Sequence, residues 1–251
     1  MAKVVLENLM KRFGDNVVIQ DLNIEIQDSE FIVFVGPSGS GKSTILRIIA
    51  GLESLTSGEI RIGDRVVNKL SPRERDIAMD FRIYALFPHM SVFDNMSCGR
   101  RKRRVDKDKI EPRVRDTARS LEIEEFLERR PAEPSGGQQR VTLGRAIVRQ
   151  AQAFLLDEPL SNLDAKHRVG ARAFLSDLHN ELQATFICVT HDQVEAMTMG
   201  DCIAVLGRQY LQQIDTPEHL PRKTQRQARG RQHRCRTKDL ASSTKLKNPS
   251  L

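Results

Sequence analysis

The chain has 251 residues, 39% of them hydrophobic, and a net charge of +7; at this length a folded chain buries roughly 70 to 75% of its unfolded surface, so one substantial domain is expected. No apolar run approaches the ~18 residues a membrane span needs, and the first residues mix charge with apolar side chains and lack a cleavage pattern, which argues for a soluble or peripheral protein and against secretion. The charge is uneven: residues 221–251 carry ten Lys or Arg against one acid, Asp239, a charge of +9 that leaves −2 for residues 1–220, so a nucleic-acid footprint on the folded part is not expected.

The first 30 residues read as short strands at Val4 to Leu6, Val17 to Ile19 and the alternating Leu22, Ile24 and Ile26. A continuous apolar strand from Phe31 to Val35 follows, then a Gly-Pro-Ser loop and an apolar helix beginning near Lys42. "SGEIRIGDRVV" reads as a hairpin, and "RDIAMDFRIYALFPHMSV" as a strand followed by a loop. From about 91 to 150 the sequence is charged and helix-periodic, a helical insertion; its basic run, Arg100 to Arg104, reads as a solvated helix edge. After it, "AQAFLLDEP", "ATFICVTHD" and "CIAVLG" are strands separated by helical segments. Strands alternating with helices predict an α/β fold whose mostly parallel sheet is covered on both faces. The four cysteines, Cys98, Cys188, Cys202 and Cys235, lack C-x-x-C spacing and suggest neither a zinc site nor a disulfide framework. The last 30 residues lack periodicity and large apolar side chains and are expected to be unstructured.

Gly36, Gly41, Lys42 and Ser43 satisfy G-x-x-x-x-G-K-[ST] between a strand and a helix. The glycines let successive backbone N–H groups converge on phosphate oxygens, and the helix N-terminus adds partial positive charge. Lys42 is expected to reach the β- and γ-phosphates and the Ser43 hydroxyl to ligate Mg²⁺. "AFLLDEP" ends a strand in two acids, which places Asp157 to hold Mg²⁺ and Glu158 to polarise an attacking water. His191 in "VTHD" follows a third strand, where an imidazole can meet the terminal phosphate or the water.

In order, the phosphate loop, "IYALFPHMSV", "SGGQ", "LLDEP", "SNLD" and "VTHD" resemble the motif series of ABC transporter ATPase subunits, most closely the carbohydrate-uptake group that includes the maltose and glycerol-3-phosphate importers. The likeness covers about residues 3 to 217. It implies a P-loop NTPase with a mostly parallel central sheet, an N-terminal antiparallel β-subdomain and a helical insertion. The ATP-binding domain would be residues 1–220, its helical subdomain about 91–150, and residues 221–251 a basic tail standing where such importers have a regulatory domain, of the kind a truncation or shifted frame yields. The resemblance implies an Mg²⁺-dependent ATPase on the cytoplasmic face of the membrane. Its partners would be a second copy or related ATPase subunit, integral membrane permease subunits met by "YALFPHMSV", and an external solute-binding protein. Carried over by position, Phe13 stacks on adenine; Gly36, Pro37, Ser38, Gly39, Ser40, Gly41, Lys42, Ser43 and Thr44 form the phosphate loop; Ser43 and Asp157 serve Mg²⁺. Glu158 is the catalytic base and His191 the switch histidine. Ser161 to Asp164 form the loop that communicates across the dimer, with Asp164 near nucleotide. Ser135, Gly136, Gly137 and Gln138 form the signature that contacts the γ-phosphate on the opposite subunit.

The chain departs from that pattern in three places. Between Gln138 and "QRV" one residue is missing, and Pro134 stands where leucine is usual; a one-residue deficit rotates a helix by ~100° and shifts it ~1.5 Å, so a weakened closed dimer is expected. Arg82 stands where a glutamine would contact Mg²⁺ or water; arginine offers only donors and a fixed charge, and Asp80 is a candidate partner for it. "LGRQYLQQID" lacks the usual glycine turn between the last two strands. These departures keep open an alternative, a degenerate ATP-binding module with weak hydrolysis and poor coupling.

Overall fold

The structure, a computed structural model, describes residues 2–79, 86–131, 136–149, 151–161, 163, 165–220 and 233–234. Its centre is a six-stranded sheet. The strands are β3 (Phe31–Val35), β6 (Ile77–Met79), β7 (Ala153–Asp157), β8 (Thr185–Thr190), β9 (Cys202–Leu206) and β10 (Leu211–Asp215), in the order β10-β9-β3-β8-β7-β6. Every pairing is parallel except β9 with β10. Side chains alternate across the pleat, so Ile32 and Phe34 of β3 enter one hydrophobic cluster while Phe31, Val33 and Val35 enter another. Ile187 and Val189 of β8 follow the first pair, Phe186 and Cys188 the second. Both faces are therefore buried, as the sequence predicts for a parallel sheet. The first face meets α1 (Lys42–Ala50) through Ile45, Leu46, Ile48 and Ile49; the second meets α5 (Ala165–Leu182) and α6 (Gln193–Met199) through Phe174, Leu175, Leu178, Ala196 and Met199.

A second sheet supplies the other side of the first cluster. Strands β1 (Val4–Phe13), β2 (Asn16–Ile26), β4 (Ser57–Ile62) and β5 (Arg65–Val66) pair antiparallel. Where the sequence predicts two strands between 17 and 26, the chain makes one. Asp21 sits at φ 49° within an irregularity of the β1/β2 register, and a polar residue at a bulge resembles a break in sequence. His233–Arg234 form a two-residue strand, β11, pairing parallel with Ile24 and Glu25 of β2. It falls inside the stretch expected to be unstructured, a departure the composition does not foreshadow. Cys98 and Cys188 are free and buried, whereas Cys202 is disulfide-bonded, although the cysteine spacing suggests no disulfide framework.

Three helices pack together beside the sheets: α2 (Val92–Lys102), α3 (Lys107–Ser120) and α4 (Gly136–Arg149), around Val92, Met96, Ile110, Val114, Val141 and Val148. Ser91 caps α2 by accepting the Asp94 N–H at 3.1 Å. At the far end of α1, Gly51 adopts φ 76° and its N–H donates to the Ile48 carbonyl. The buried Arg75 guanidinium donates to the Ile48 and Ile49 carbonyls at 2.7 and 2.9 Å, completing the helix end. A Cβ on Gly51 would lie 2.7 Å from Arg75 Nε, so the glycine serves both the left-handed turn and the close approach.

Candidate functional site

The register of the central sheet brings three strand ends together. Val35 of β3 lies beside Thr190 of β8 and Val205 of β9, and Asp157 of β7 lies beside Val189 of β8. The loop after β3, the acids after β7 and the histidine after β8 thus share one edge of the sheet.

The loop is tightly determined. A Cβ on Gly36 would stand 2.4 Å from the Leu206 carbonyl oxygen, so the chain leaves β3 against the backbone of β9. Gly39 and Gly41 adopt φ 77° and 93°, left-handed values that favour glycine. Gly41 is the N-cap of α1 and makes no side-chain cap bond, so the cap residue leaves the anion-attracting end of the helix to a ligand. Lys42 is buried and folds back over the loop, its Nζ donating to the Gly36 and Pro37 carbonyls at 2.9 and 3.0 Å. Ser40 Oγ is sealed from solvent with no hydrogen-bond partner among the described residues. Pro37, Ser38 and Gly39 are exposed, and Thr44 is half-buried.

Ser43 Oγ donates to Asp157 Oδ1 at 2.9 Å, and both side chains face solvent. Two hard oxygens on a strand end and a helix start suit Mg²⁺, which keeps several waters and binds through one or two protein oxygens. The uncapped helix and the orphaned Ser40 hydroxyl suit the phosphates such an ion accompanies. Next along the chain, Glu158 takes φ 45°, held by its N–H on the Val189 carbonyl at 2.9 Å and by its own carbonyl, which accepts the Ser161 hydroxyl at 2.9 Å. Its Oε1 lies 3.3 Å from His191 Nδ1. His191 is aimed from below: Thr190 Oγ1 donates to the buried Glu195 at 2.6 Å and accepts the Asp192 N–H, while Asp192 caps α6 through the Val194 N–H.

Phe13 is 47% exposed at the end of β1. Its hairpin partner strand brings Val18 against Gly41, where a Cβ would lie 3.1 Å from the Val18 carbonyl. Lys11 Nζ stands 4.4 Å over the Phe13 ring and pairs with Glu53 at 2.8 Å. The sequence reading passes over Lys11, although a spacing of two on a strand places it on the Phe13 face. It also passes over Arg75, which no local pattern links to α1.

Of the signature residues, Gly136 and Gly137 open α4, and the Gln138 carbonyl accepts the Thr142 hydroxyl at 3.0 Å. This helix packs with α2 and α3 in the third hydrophobic cluster rather than on the loop's own cluster. Ser161 lies in the turn after Glu158. Ser135, Pro134, Asp164, Asp80 and Arg82 lie outside the described residues.

The family described as ABC transporter matches residues 19–161. The sn-glycerol-3-phosphate import ATP-binding protein UgpC of Brucella abortus is 56% identical over 222 residues, covering 88% of this chain and 63% of that protein. The osmoprotective compounds uptake ATP-binding protein GgtA of Synechocystis is 58% identical over 221 residues, covering 88% and 61%. The chain thus spans under two thirds of the length of these relatives. Two solved ATP-binding cassettes of ABC transporters share the fold. One, in an ADP conformation, has TM-score 0.72 at 18% identity, covering 87% of this chain and 94% of that one. The other, nucleotide-free, has TM-score 0.69 at 20% identity, covering 86% and 92%.

Proposed function

This chain belongs to the ABC transporter family, and on that premise we propose that it binds and hydrolyses ATP to energise the uptake of a sugar or related solute. The observation that carries the reading is the convergence of two pairs on one sheet edge: Ser43 with Asp157 at 2.9 Å, and Glu158 with His191 at 3.3 Å. The 36–41 backbone and Lys42 would cradle the phosphates, Lys42 exchanging the two loop carbonyls it now holds for phosphate oxygens. Phe13 would stack on adenine, with Lys11 fixing its ring from the other side. Ser43 and Asp157 would hold Mg²⁺, which when bound supplies positive charge that offsets the charge building up on the phosphate oxygens.

In hydrolysis the Glu158 carboxylate accepts a proton from the attacking water as the water oxygen forms its bond to the γ-phosphorus. The bond from that phosphorus to the β–γ bridging oxygen breaks, and ADP departs with the electron pair. His191, one hydrogen-bond length from Glu158, orients that carboxylate and reaches the terminal phosphate. Gly136, Gly137 and Gln138 would complete the site of a second copy, so that two chains close over two nucleotides. The membrane and solute-binding subunits would choose the solute. The relatives named above are import and uptake ATP-binding proteins for sn-glycerol-3-phosphate and for osmoprotective compounds, which supports uptake of a small solute; the reading would put the chain on the cytoplasmic face beside permease subunits. Among the described residues no helix is long and apolar enough to cross a membrane, so the chain itself would sit peripherally.

The test is phosphate release by the purified chain with and without Mg²⁺, beside Glu158→Gln. Turnover that needs Mg²⁺ and falls by at least about a hundredfold in the variant is expected for loss of a general base. Turnover unaffected by either change would overturn the assignment. ATP-dependent dimerisation of the Glu158→Gln chain, read by light scattering, reports the sandwich separately.

A further inference from the structure

The hairpin that carries Phe13 is fastened to the helix that carries the phosphate loop. At the start of α1, Gly41 lies so close to β2 that a Cβ would meet the Val18 carbonyl oxygen at 3.1 Å. Beyond the end of α1, the Leu52 and Glu53 N–H groups donate to the Arg47 carbonyl at 2.9 and 3.2 Å, which fixes that backbone on the last turn. Thr56 then grips β1: its N–H donates to the Met10 carbonyl at 2.8 Å, and its hydroxyl accepts the Arg12 N–H at 2.9 Å. Lys11 is the residue between those two anchors.

Lys11 is only 5% exposed, and lysine is rarely so buried unless it is paired. Its Nζ donates to Glu53 Oε1 at 2.8 Å and to Ser54 Oγ at 3.4 Å, and the same Nζ stands 4.4 Å from the centre of the Phe13 ring. An ammonium has three donors; two serve Glu53 and Ser54, and the ring face takes up the remaining charge. Such a contact strengthens when the cation is withdrawn from water, as this one is. The ring itself stays exposed, with area open to a ligand. The ammonium draws the ring's negative charge toward itself, which lowers the repulsion between the far face and the negative face of a stacked base. It also holds the ring in one orientation, so less side-chain freedom is lost when a base settles on it.

We propose that Lys11 is a positioning residue for the nucleoside: held by Glu53, it fixes the Phe13 ring to α1, so that one rigid unit presents both the base platform and the phosphate loop. The inference rests on the reading of Phe13 as the residue that stacks on adenine. Lys11 and Glu53 make no contact with the nucleotide in this scheme, and their effect passes through the ring alone. Loss of Lys11 therefore weakens ligands that carry a nucleoside and spares bare polyphosphates. The test titrates the full chain calorimetrically with MgADP and with magnesium pyrophosphate, which shares the phosphates and lacks the nucleoside. Phe13→Ala, Lys11→Met, Lys11→Arg and the Phe13→Ala/Lys11→Met double variant are compared with the parent chain.

Phe13→Ala should weaken MgADP about tenfold or more and leave pyrophosphate within about twofold. Lys11→Met keeps the apolar stem of lysine and should weaken MgADP about three- to tenfold, again sparing pyrophosphate, whose unchanged titration shows that the loop is still folded. Lys11→Arg keeps a cation over the ring and a partner for Glu53, and should recover most of the affinity. In the Phe13→Ala background Lys11→Met should cost nothing more, because no ring is left to hold. If Lys11→Met fails to fold, Glu53→Gln, which keeps the ammonium and loosens its anchor, should shift MgADP in the same direction and is read in the same way. Equal weakening of MgADP and pyrophosphate in Lys11→Met, or full additivity in the double variant, overturns the proposal. A loss in Phe13→Ala without one in Lys11→Met refutes this inference alone, whereas an unchanged MgADP affinity in Phe13→Ala removes the adenine platform and this inference with it.

Discussion

Glu158 is a residue whose backbone and side chain pull against each other. At φ 45° it occupies the left-handed region, which costs an L residue about 1 to 2 kcal/mol. Two contacts hold it there, its N–H on Val189 and its carbonyl under the Ser161 hydroxyl, and neither depends on which side chain is present. Glu158→Ala and Glu158→Gly each remove the carboxylate and the contact with His191, so the difference between them isolates the backbone. Glycine recovers the left-handed cost but loses about 0.5 to 1 kcal/mol to the greater freedom of its unfolded chain. At the middle of these ranges the balance favours glycine by about 0.8 kcal/mol, or roughly 1 to 4 °C in Tm for a chain of this size. Thermal unfolding without nucleotide, followed by circular dichroism, measures it, and phosphate release measures the loss of turnover expected in both. If Glu158→Ala melts at or above Glu158→Gly, the strain reasoning is refuted, whatever happens to catalysis.

Gly36→Ala should lower the urea midpoint by the equivalent of about 1 to 3 kcal/mol and weaken ATP binding, because its Cβ would stand 2.4 Å from a backbone oxygen that cannot step aside cheaply; an unchanged midpoint would show that the loop gives way freely. Gln209, at φ 72° in the turn closed by the Gly207 N–H on the Tyr210 carbonyl, stands where the sequence reading misses a glycine. Gln209→Gly should therefore raise Tm by about 1 to 4 °C on the same arithmetic. The Lys11 hydrogen bond holds the Glu53 carboxyl below its ordinary pKa. A depressed folded pKa stabilises above the unfolded carboxylate pKa of about 4.3 and is lost as pH falls through the folded value; in Lys11→Met that acid-side loss should shrink in a Tm-against-pH series, and an unaltered series would remove Glu53 from the account. Inserting one residue after Gln138 should raise ATP turnover while leaving ATP affinity unchanged, read by phosphate release and equilibrium titration; equal turnover would mean the deficit has no catalytic cost.

What the sequence reveals of this molecule follows from where the information sits. The five apolar residues Phe31 to Val35, bounded by polar and glycine signals, admit one solution in an α/β chain, a strand buried on both faces, and the same holds for Phe154 to Leu156 and Phe186 to Val189. Their C-terminal neighbours are thereby placed on one edge, which is why Lys42, Asp157 and His191 are readable as a group. Features set by contact between distant segments leave no such trace. Arg75 completes α1 across 27 and 26 residues of chain. Asp21 shows the opposite failure, a local polar break that the longer strand absorbs as a bulge.

The register of α4 decides where the one-residue deficit is felt. The helix runs without interruption from Gly136 to Arg149, so no bulge inside it takes up the difference. Its later turns are pinned on two sides: Val141 and Val148 in the helical cluster, Ala146 in the cluster beneath the sheet, and Gly144 so close to α2 that a Cβ would lie 2.6 Å from Met96 Cε. Arg149 adds a hydrogen bond to β6 and Arg140 an ion pair with Glu122. Rotating this segment by ~100° would turn those buried side chains toward water, at a greater cost than re-aiming one turn that begins with two glycines. The rotation therefore falls at the N-terminal end, on Gly136 and Gly137, whose lack of side chains makes that turn the cheapest to distort. This is the end proposed to meet the partner's terminal phosphate, whereas the 36–44 loop rests on β3, β9 and α1 and does not share the change. ATP affinity and hydrolysis rate should then separate, since the first is set within one chain and the second at the contact between two.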